Sequence, residues 1–178
     1  TIIEAPHTLQ ISAAGTLGSL SGALTFTNAG RGYGTLNLNG TNLTVGNLSG
    51  LGGTIRNNKS GSASVLTIGA GGAAGGDFKG ALASGLGTLS LVKTGAGTLT
   101  LSGPNSYTGA TLVTEGVISF ALGASGQSAS LDVSSGAVCL IATSASFLGG
   151  TKIVTLAAGG QLNLTSGVNQ SVGYLVCD

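Results

Sequence analysis

The sequence predicts an all-β chain: a parallel β-helix (β-solenoid), right-handed, with about 20 residues per coil. Three observations carry that prediction. A short motif of Gly, any residue, apolar, polar, apolar recurs seven times. Alternation of period two runs through each copy, the signature of a strand with one buried face. From Gly97 onward the motif starts are spaced 19, 20 and 24 residues apart, which is the length of one coil. Each such coil cannot bury its apolar row alone, so coils stack at about 4.8 Å, with like residues above one another. Eight or nine coils then make a rod about 40 Å long.

In chain order the motif appears as GALTF from Gly22, GTLNL from Gly34, GTLSL from Gly87, GTLTL from Gly97, GVISF from Gly116, GAVCL from Gly136 and GQLNL from Gly160. The leading glycine marks the turn before each strand, where a positive φ is costly for any other residue. Alternation directs Leu99 and Leu101 inward and Thr100 outward. The same parity assigns Ile118 with Phe120, Val138 with Leu140, and Leu162 with Leu164 to the core. The ten-residue offset between GTLSL and GTLTL places two strands in one coil. Thr, Ser and Asn at outward and turn positions are expected to form polar ladders. Helical periodicity is absent, and the 34 glycines argue against helix.

Composition narrows the function classes. Only 6% of residues are charged, against about 25% in ordinary globular domains. Disorder is a poor fit, because 42% of residues are hydrophobic and the mean hydropathy is +0.48. Glycine follows no three-residue period, which excludes collagen. A net charge of +1, with six Lys and Arg scattered along the chain, offers no stripe for phosphates, so no nucleic-acid partner is expected. The apolar runs fall far short of the roughly 20 residues of a membrane-spanning helix, so no membrane span is expected. The sequence does not begin with Met, and no charged n-region and apolar h-region stand at Thr1; the expectation is a processed product or an excised fragment.

Residues 91–116 read LVKTGAGTLTLSGPNSYTGATLVTEG. This segment resembles the autotransporter-associated β-strand repeat of bacterial surface proteins. The positions that carry the resemblance are Lys93, Gly95, Gly97, Leu99, Leu101, Gly103, Asn105, Tyr107, Gly109 and Thr111. Flanking segments extend it over residues 43–178 and leave 1–42 as generic N-terminal coils of one solenoid domain spanning 1–178. The resemblance implies a β-helical passenger carried across an outer membrane and displayed or released at the surface of a Gram-negative-type bacterium. It transfers no catalytic residue, and the ten matching positions are read as a structural repeat.

Other motifs point elsewhere and fall short. SVLTIGAGGAAGG, from Ser64 to Gly76, imitates a dinucleotide-binding strand and turn, but neither a following helix nor an acidic residue at ribose distance is present. It reads as a loop between coils, and no cofactor is expected. The GGD at Gly75–Asp77 has one carboxylate, too few for calcium, and no metal is expected. His7 is the single histidine and lies outside any coil, so no Ser-His-Asp set forms. Glu115 and Asp132 are the only acids on adjacent coils and sit at different offsets from their turns, which does not build a glycosidase pair. No enzyme is expected. Asn39, Asn42, Asn47, Asn58, Asn163 and Asn169 begin N-x-Ser/Thr sequons, read here as turn and ladder chemistry.

Two cysteines are too few for a zinc site. By parity Cys139 faces outward and Cys177 inward, an arrangement that disfavours a disulfide. Neither end of the sequence looks capped: TIIEAPHTLQIS opens with apolar residues, and VGYLVCD closes on an apolar strand. The functional expectation is therefore a non-catalytic structural or adhesive rod on a cell exterior. Its partner is itself, through end-to-end stacking of uncapped coils, or further coils of a longer chain, with a host or matrix surface as an adhesion target. The alternative is a carbohydrate-binding or carbohydrate-cleaving β-helix, which needs a groove of stacked aromatics drawn from Phe26, Tyr33, Phe78, Tyr107, Phe120, Phe147 and Tyr174.

Overall fold

A computed structural model describes residues 1–4, 7–11, 17, 19–28, 30, 32–72, 75–121, 124, 126, 128–143 and 152–178. Among them the chain winds through strands that recur in the same order. These are β1 (Ile2–Ile3), β2 (Thr8–Gln10), β3 (Ala23–Phe26), β4 (Thr35–Asn37), β5 (Leu43–Val45), β6 (Asn47–Gly50), β7 (Thr54–Arg56), β8 (Ala63–Ile68), β9 (Gly76–Phe78) and β10 (Ala81–Ala83). The second half supplies β11 (Thr88–Lys93), β12 (Thr98–Leu101), β13 (Asn105–Ser106), β14 (Thr111–Val113), β15 (Val117–Phe120), β16 (Ser130–Val133), β17 (Val138–Ile141), β18 (Ile153–Leu156), β19 (Gln161–Leu164) and β20 (Tyr174–Cys177). Helix is confined, among the described residues, to the single turn Ala70–Gly72.

Among the described residues the named strands pair in parallel, each with its counterpart one coil away. Three walls result. The first runs β1-β3-β6-β9-β12-β15-β17-β19, the second β2-β4-β7-β10-β13, and the third β5-β8-β11-β14-β16-β18-β20. The molecule is a β-solenoid of about seven stacked coils about 23 residues apart. Eight strands in the longest wall give seven steps, a rod of about 35 Å rather than 40 Å. Coil length also varies more than the sequence spacing implied. Ile2 pairs with Thr25, Gly50 with Phe78 and Thr98 with Val117, steps of 23, 28 and 19 residues. The extra residues go into corners, which leaves register along the walls intact.

The core is a set of vertical inward rows. In the first wall Leu24, Leu48, Gly76, Leu99, Ile118, Cys139 and Leu162 lie in one row, with Ile3, Phe26, Gly50, Phe78, Leu101, Phe120, Ile141 and Leu164 in the next. Gly50 lies between two phenylalanines, and the rings of Phe26 and Phe78 meet across the space it leaves, centroids 5.3 Å apart. A Cβ on Gly50 would come within 2.7 Å of the Phe26 carbonyl oxygen, and its φ of 147° is itself poorly suited to other residues.

Parity places Leu99, Leu101, Ile118 and Phe120 inside, fully buried, as the alternation requires. One assignment is reversed. Cys139 and Ile141 are fully buried, while Val138 and Leu140 are only half-buried. The cause is an extra residue, Ala137, between Gly136 and the position where the wall resumes, since Val138 rather than Ala137 pairs with Val117. A slip of one residue exchanges the two faces of a strand. Cys139 therefore faces inward, on the first wall, while Cys177 takes an inward position on the third; both thiols are free.

The leading glycines also act differently than expected. Gly116 and Gly136 have positive φ. Gly34 and Gly87 do not, and are needed for space: a Cβ at Gly34 would lie 2.6 Å from Ile3 Cγ2, and one at Gly87 2.5 Å from Asn57 Nδ2. Beyond these, residues 73–74 of the Gly-rich stretch, and Phe147, lie outside the described residues.

Candidate functional site

The segment 91–116 spans the end of β11, the strands β12 to β14 and the turn before β15, and it places a lysine, an asparagine and a threonine in rows that are otherwise largely aliphatic. Lys93 stands in the inward row Val45, Ile68, Lys93, Val113, Val133, Leu156. Its side chain is fully buried. The ammonium donates to the carbonyl oxygens of Thr94 at 2.7 Å, Gly95 at 2.6 Å and Glu115 at 3.3 Å. One cation thus ties the third-to-first-wall corner of its own coil to that of the next. Burial lowers its pKa, and the charge of Glu115 works in the opposite direction.

Asn105 follows Leu9, Leu36, Ile55 and Leu82 in an inward row of the second wall. Its Nδ2 donates to the Gly103 carbonyl oxygen at 2.9 Å. Thr111 interrupts the row Leu43, Leu66, Leu91, Leu131, Val154. Tyr107 is fully buried, and its hydroxyl shares a 2.6 Å hydrogen bond with Thr111 Oγ1. Thr111 Oγ1 donates to Ser128 Oγ at 2.9 Å. Ser128 Oγ lies 2.9 Å from the Gly109 carbonyl and 2.6 Å from that of Ser130. Burial raises the Tyr107 pKa, so the hydroxyl stays protonated and able to donate.

The remaining matching positions are packing residues. Leu99 and Leu101 are buried in the first wall. Gly95 turns with φ 73°. Cβ atoms on Gly103 and Gly109 would collide with the carbonyl oxygen of Gly80 and the hydroxyl of Ser90. Gly97 immediately precedes β12, and its carbonyl accepts from Val117 N at 3.2 Å. Nothing in this constellation provides a reactive group open to a substrate: the lysine is saturated with carbonyls and the tyrosine is enclosed.

A second polar station is built around Asn57, a residue the sequence marks only as turn and ladder material. Asn57, fully buried, accepts from Gly40 N at 2.9 Å and donates to the carbonyl oxygens of Ser62 and Thr88, so one amide joins three coils. Asn37 Oδ1 accepts from Asn39 N and Asn58 N, and Ser84 Oγ meets Thr108 Oγ1 at 2.9 Å. These are the expected polar ladders, sited at the corner between the second and third walls. The available signal is an Asn directly after a short Thr-Ile-Arg segment that follows a Gly-Gly pair.

Among the described residues the two ends of the stack differ: at the first, Ile3 and Ile11 are buried and Leu9 is exposed. There, Ile2, Ile3, Glu4, His7 and Leu9 line a groove of about 410 Å³. At the other, Leu164, Leu175 and Cys177 continue inward rows yet are exposed, beside exposed Ile153, Tyr174 and Val176. Of the seven aromatic candidates for a sugar-stacking groove, Phe26, Phe78, Tyr107 and Phe120 are core residues. Glu115 and Asp132 lie on neighbouring coils, and Asp132 accepts from Ser130 Oγ at 3.0 Å. Among the described residues no helix is long and apolar enough to cross a membrane, and no group of three or more His, Cys, Asp and Glu gathers in metal-binding geometry.

Comparison with known families agrees with the geometry. Residues 91–119 match the family model described as Passenger-associated-transport-repeat. The match supports the resemblance to autotransporter passenger repeats, and it falls on the coil whose polar residues enter the core. No curated protein and no solved structure matches the chain.

Proposed function

We propose that this chain is a non-catalytic extracellular β-solenoid of the passenger type, one domain over residues 1–178, serving as a structural or adhesive rod at the surface of a Gram-negative-type bacterium or released from it. Lys93, Gly95, Gly97, Leu99, Leu101, Gly103, Asn105, Tyr107, Gly109 and Thr111 form its structural repeat. The observation that carries this reading is the content of that repeat: the Lys93 ammonium, the Asn105 amide nitrogen and the Tyr107 hydroxyl are directed at backbone carbonyls or at a neighbouring hydroxyl. A scaffold uses such groups this way, whereas an active site leaves one facing substrate.

The finer form of the proposal is end-to-end continuation of the rod, by a second copy or by further coils. Exposed inward-row residues at both ends support it, because parallel strand edges with an apolar face are templates for another strand. Electron microscopy and sedimentation of the isolated chain test it. Filaments, or mass growing with concentration, are expected; a monomer at high concentration removes the polymer form. Surface display is tested by protease treatment of intact cells, where loss of the chain is expected and full protection overturns the localisation. A glycan array without hits separates the rod from a carbohydrate-binding β-helix.

A further inference from the structure

The sequon Asn39-Gly40-Thr41 contains the one Asn-Gly pair in the chain. Asn-Gly is the pair most prone to spontaneous deamidation, because glycine leaves the following backbone nitrogen unhindered. Here the pair occupies the two central positions of a tight turn. Thr41 N donates to the Leu38 carbonyl at 2.9 Å, and Asn39 and Gly40 have φ of 51° and 79°, the signature of a type I′ turn. Asn39 is the only non-glycine residue of positive φ among those described. Both backbone amides of the pair are engaged from outside the turn: Asn39 N by Asn37 Oδ1 at 3.1 Å and Gly40 N by Asn57 Oδ1 at 2.9 Å. Asn57 is fully buried and belongs to the next coil, so the bond to Gly40 exists only when the coils are stacked.

We infer that Asn39 is a latent deamidation site held closed by Asn57. In the reaction Gly40 N bonds to Asn39 Cγ, the Cγ–Nδ2 bond breaks, and ammonia leaves carrying the proton that Gly40 N gives up. Solvent water then opens the cyclic imide at either carbonyl, giving aspartate or isoaspartate. The attacking nitrogen must first lose its hydrogen, and that hydrogen is the one held by Asn57 Oδ1. Isoaspartate would insert an extra backbone methylene into a two-residue turn and pull Gly40 N away from Asn57 Oδ1, which would keep only the longer bonds from Lys59 N at 3.3 Å and Ser62 Oγ at 3.4 Å within its own coil and lose its bond to the coil before. Damage at Asn39 therefore opens the corner at which Asn57 joins three coils, and stacking itself suppresses the damage.

The test is peptide mapping by mass spectrometry of the full chain after incubation at mildly alkaline pH. In the native wild type, Asn39 is expected to deamidate far more slowly than in the same chain unfolded in urea. Asn57→Ala, with an unchanged circular dichroism spectrum, is expected to accelerate the native reaction by at least about fivefold, the protection one hydrogen bond of ordinary strength confers. Equal rates in wild type and variant, or a native wild-type rate equal to the unfolded one, overturn the inference. If the variant does not fold, the wild type alone decides: over a series of sub-denaturing urea concentrations the deamidation rate is expected to rise in parallel with hydrogen exchange at the Gly40 amide. A rate indifferent to that exchange overturns it.

Discussion

The coil of β12 and the coil of β19 carry the same pattern, GTLTL against GQLNL, in the same wall and the same inward rows, yet their fates differ. Leu99 and Leu101 are fully buried, whereas Leu162 is half-exposed and Leu164 is 42% exposed. Direction is set by alternation within a strand; at this end of the rod, burial is set by whether a further coil lies on top. Leu99 and Leu101 are flanked by strands on both sides, β9 and β15, whereas β19 pairs with β17 alone among the described residues.

The sharpest way to break that comparison is to truncate matched leucines. Leu101→Ala is expected to destabilise the chain by about 2–5 kcal/mol, as for other fully buried leucines. Leu164→Ala, three levels further along the same row, should cost about 1 kcal/mol or less, since Leu164 is already 42% exposed. Urea denaturation of the two variants measures the difference, and equal costs would show that the terminal coil is covered in solution. Next in size is Lys93→Met, which keeps the volume but removes the donor to three carbonyls. A loss of about 1–3 kcal/mol is expected from the stranded acceptors; a neutral outcome would mean water replaces the ammonium. Tyr107→Phe removes one buried hydroxyl whose partner Thr111 retains Ser128, and about 1 kcal/mol is expected.

The two thiols sharpen the comparison through their reactivity and their pH dependence. Burial pushes the Cys139 pKa up to about 12, whereas Cys177 is exposed. An alkylating reagent near neutral pH should modify Cys177 alone in the native chain and both in urea. Because the Cys139 pKa is raised in the folded state, its contribution to stability is present below the unfolded thiol pKa and is lost as pH rises towards about 12. Denaturation midpoints should therefore fall over that alkaline range, and Cys139→Val should flatten the decline.

How far these features were legible in the sequence depends on which signal encodes them. The inward faces of β12 and β15 follow from alternation and a glycine one residue ahead of the wall. At β17 the glycine sits two residues ahead, and no local cue distinguishes the two cases, so the face was misread and with it the orientation of Cys139. The second wall was hardly legible at all, because strands as short as Thr54–Arg56 and Ala81–Ala83 offer a single apolar residue each and no period to count. Lys93, Asn105, Tyr107 and Thr111 stood out only by resemblance to a family repeat. Polar residues in inward rows look like breaks in the pattern until their carbonyl and hydroxyl partners are seen.

The pairing of Phe26 with Phe78 over Gly50 bears on how such a rod can change over generations. Coils that touch only their immediate neighbours can be duplicated, deleted or exchanged one at a time, and length becomes a cheap variable. Here large, absent and large side chains occupy three successive levels of one row, so the fit belongs to the trio. Recombination that inserts or removes a coil between residues 26 and 78 would bring ring against ring without a gap, or leave a void opposite a glycine. That stretch should be inherited as a block, while the rod around it is free to lengthen or shorten.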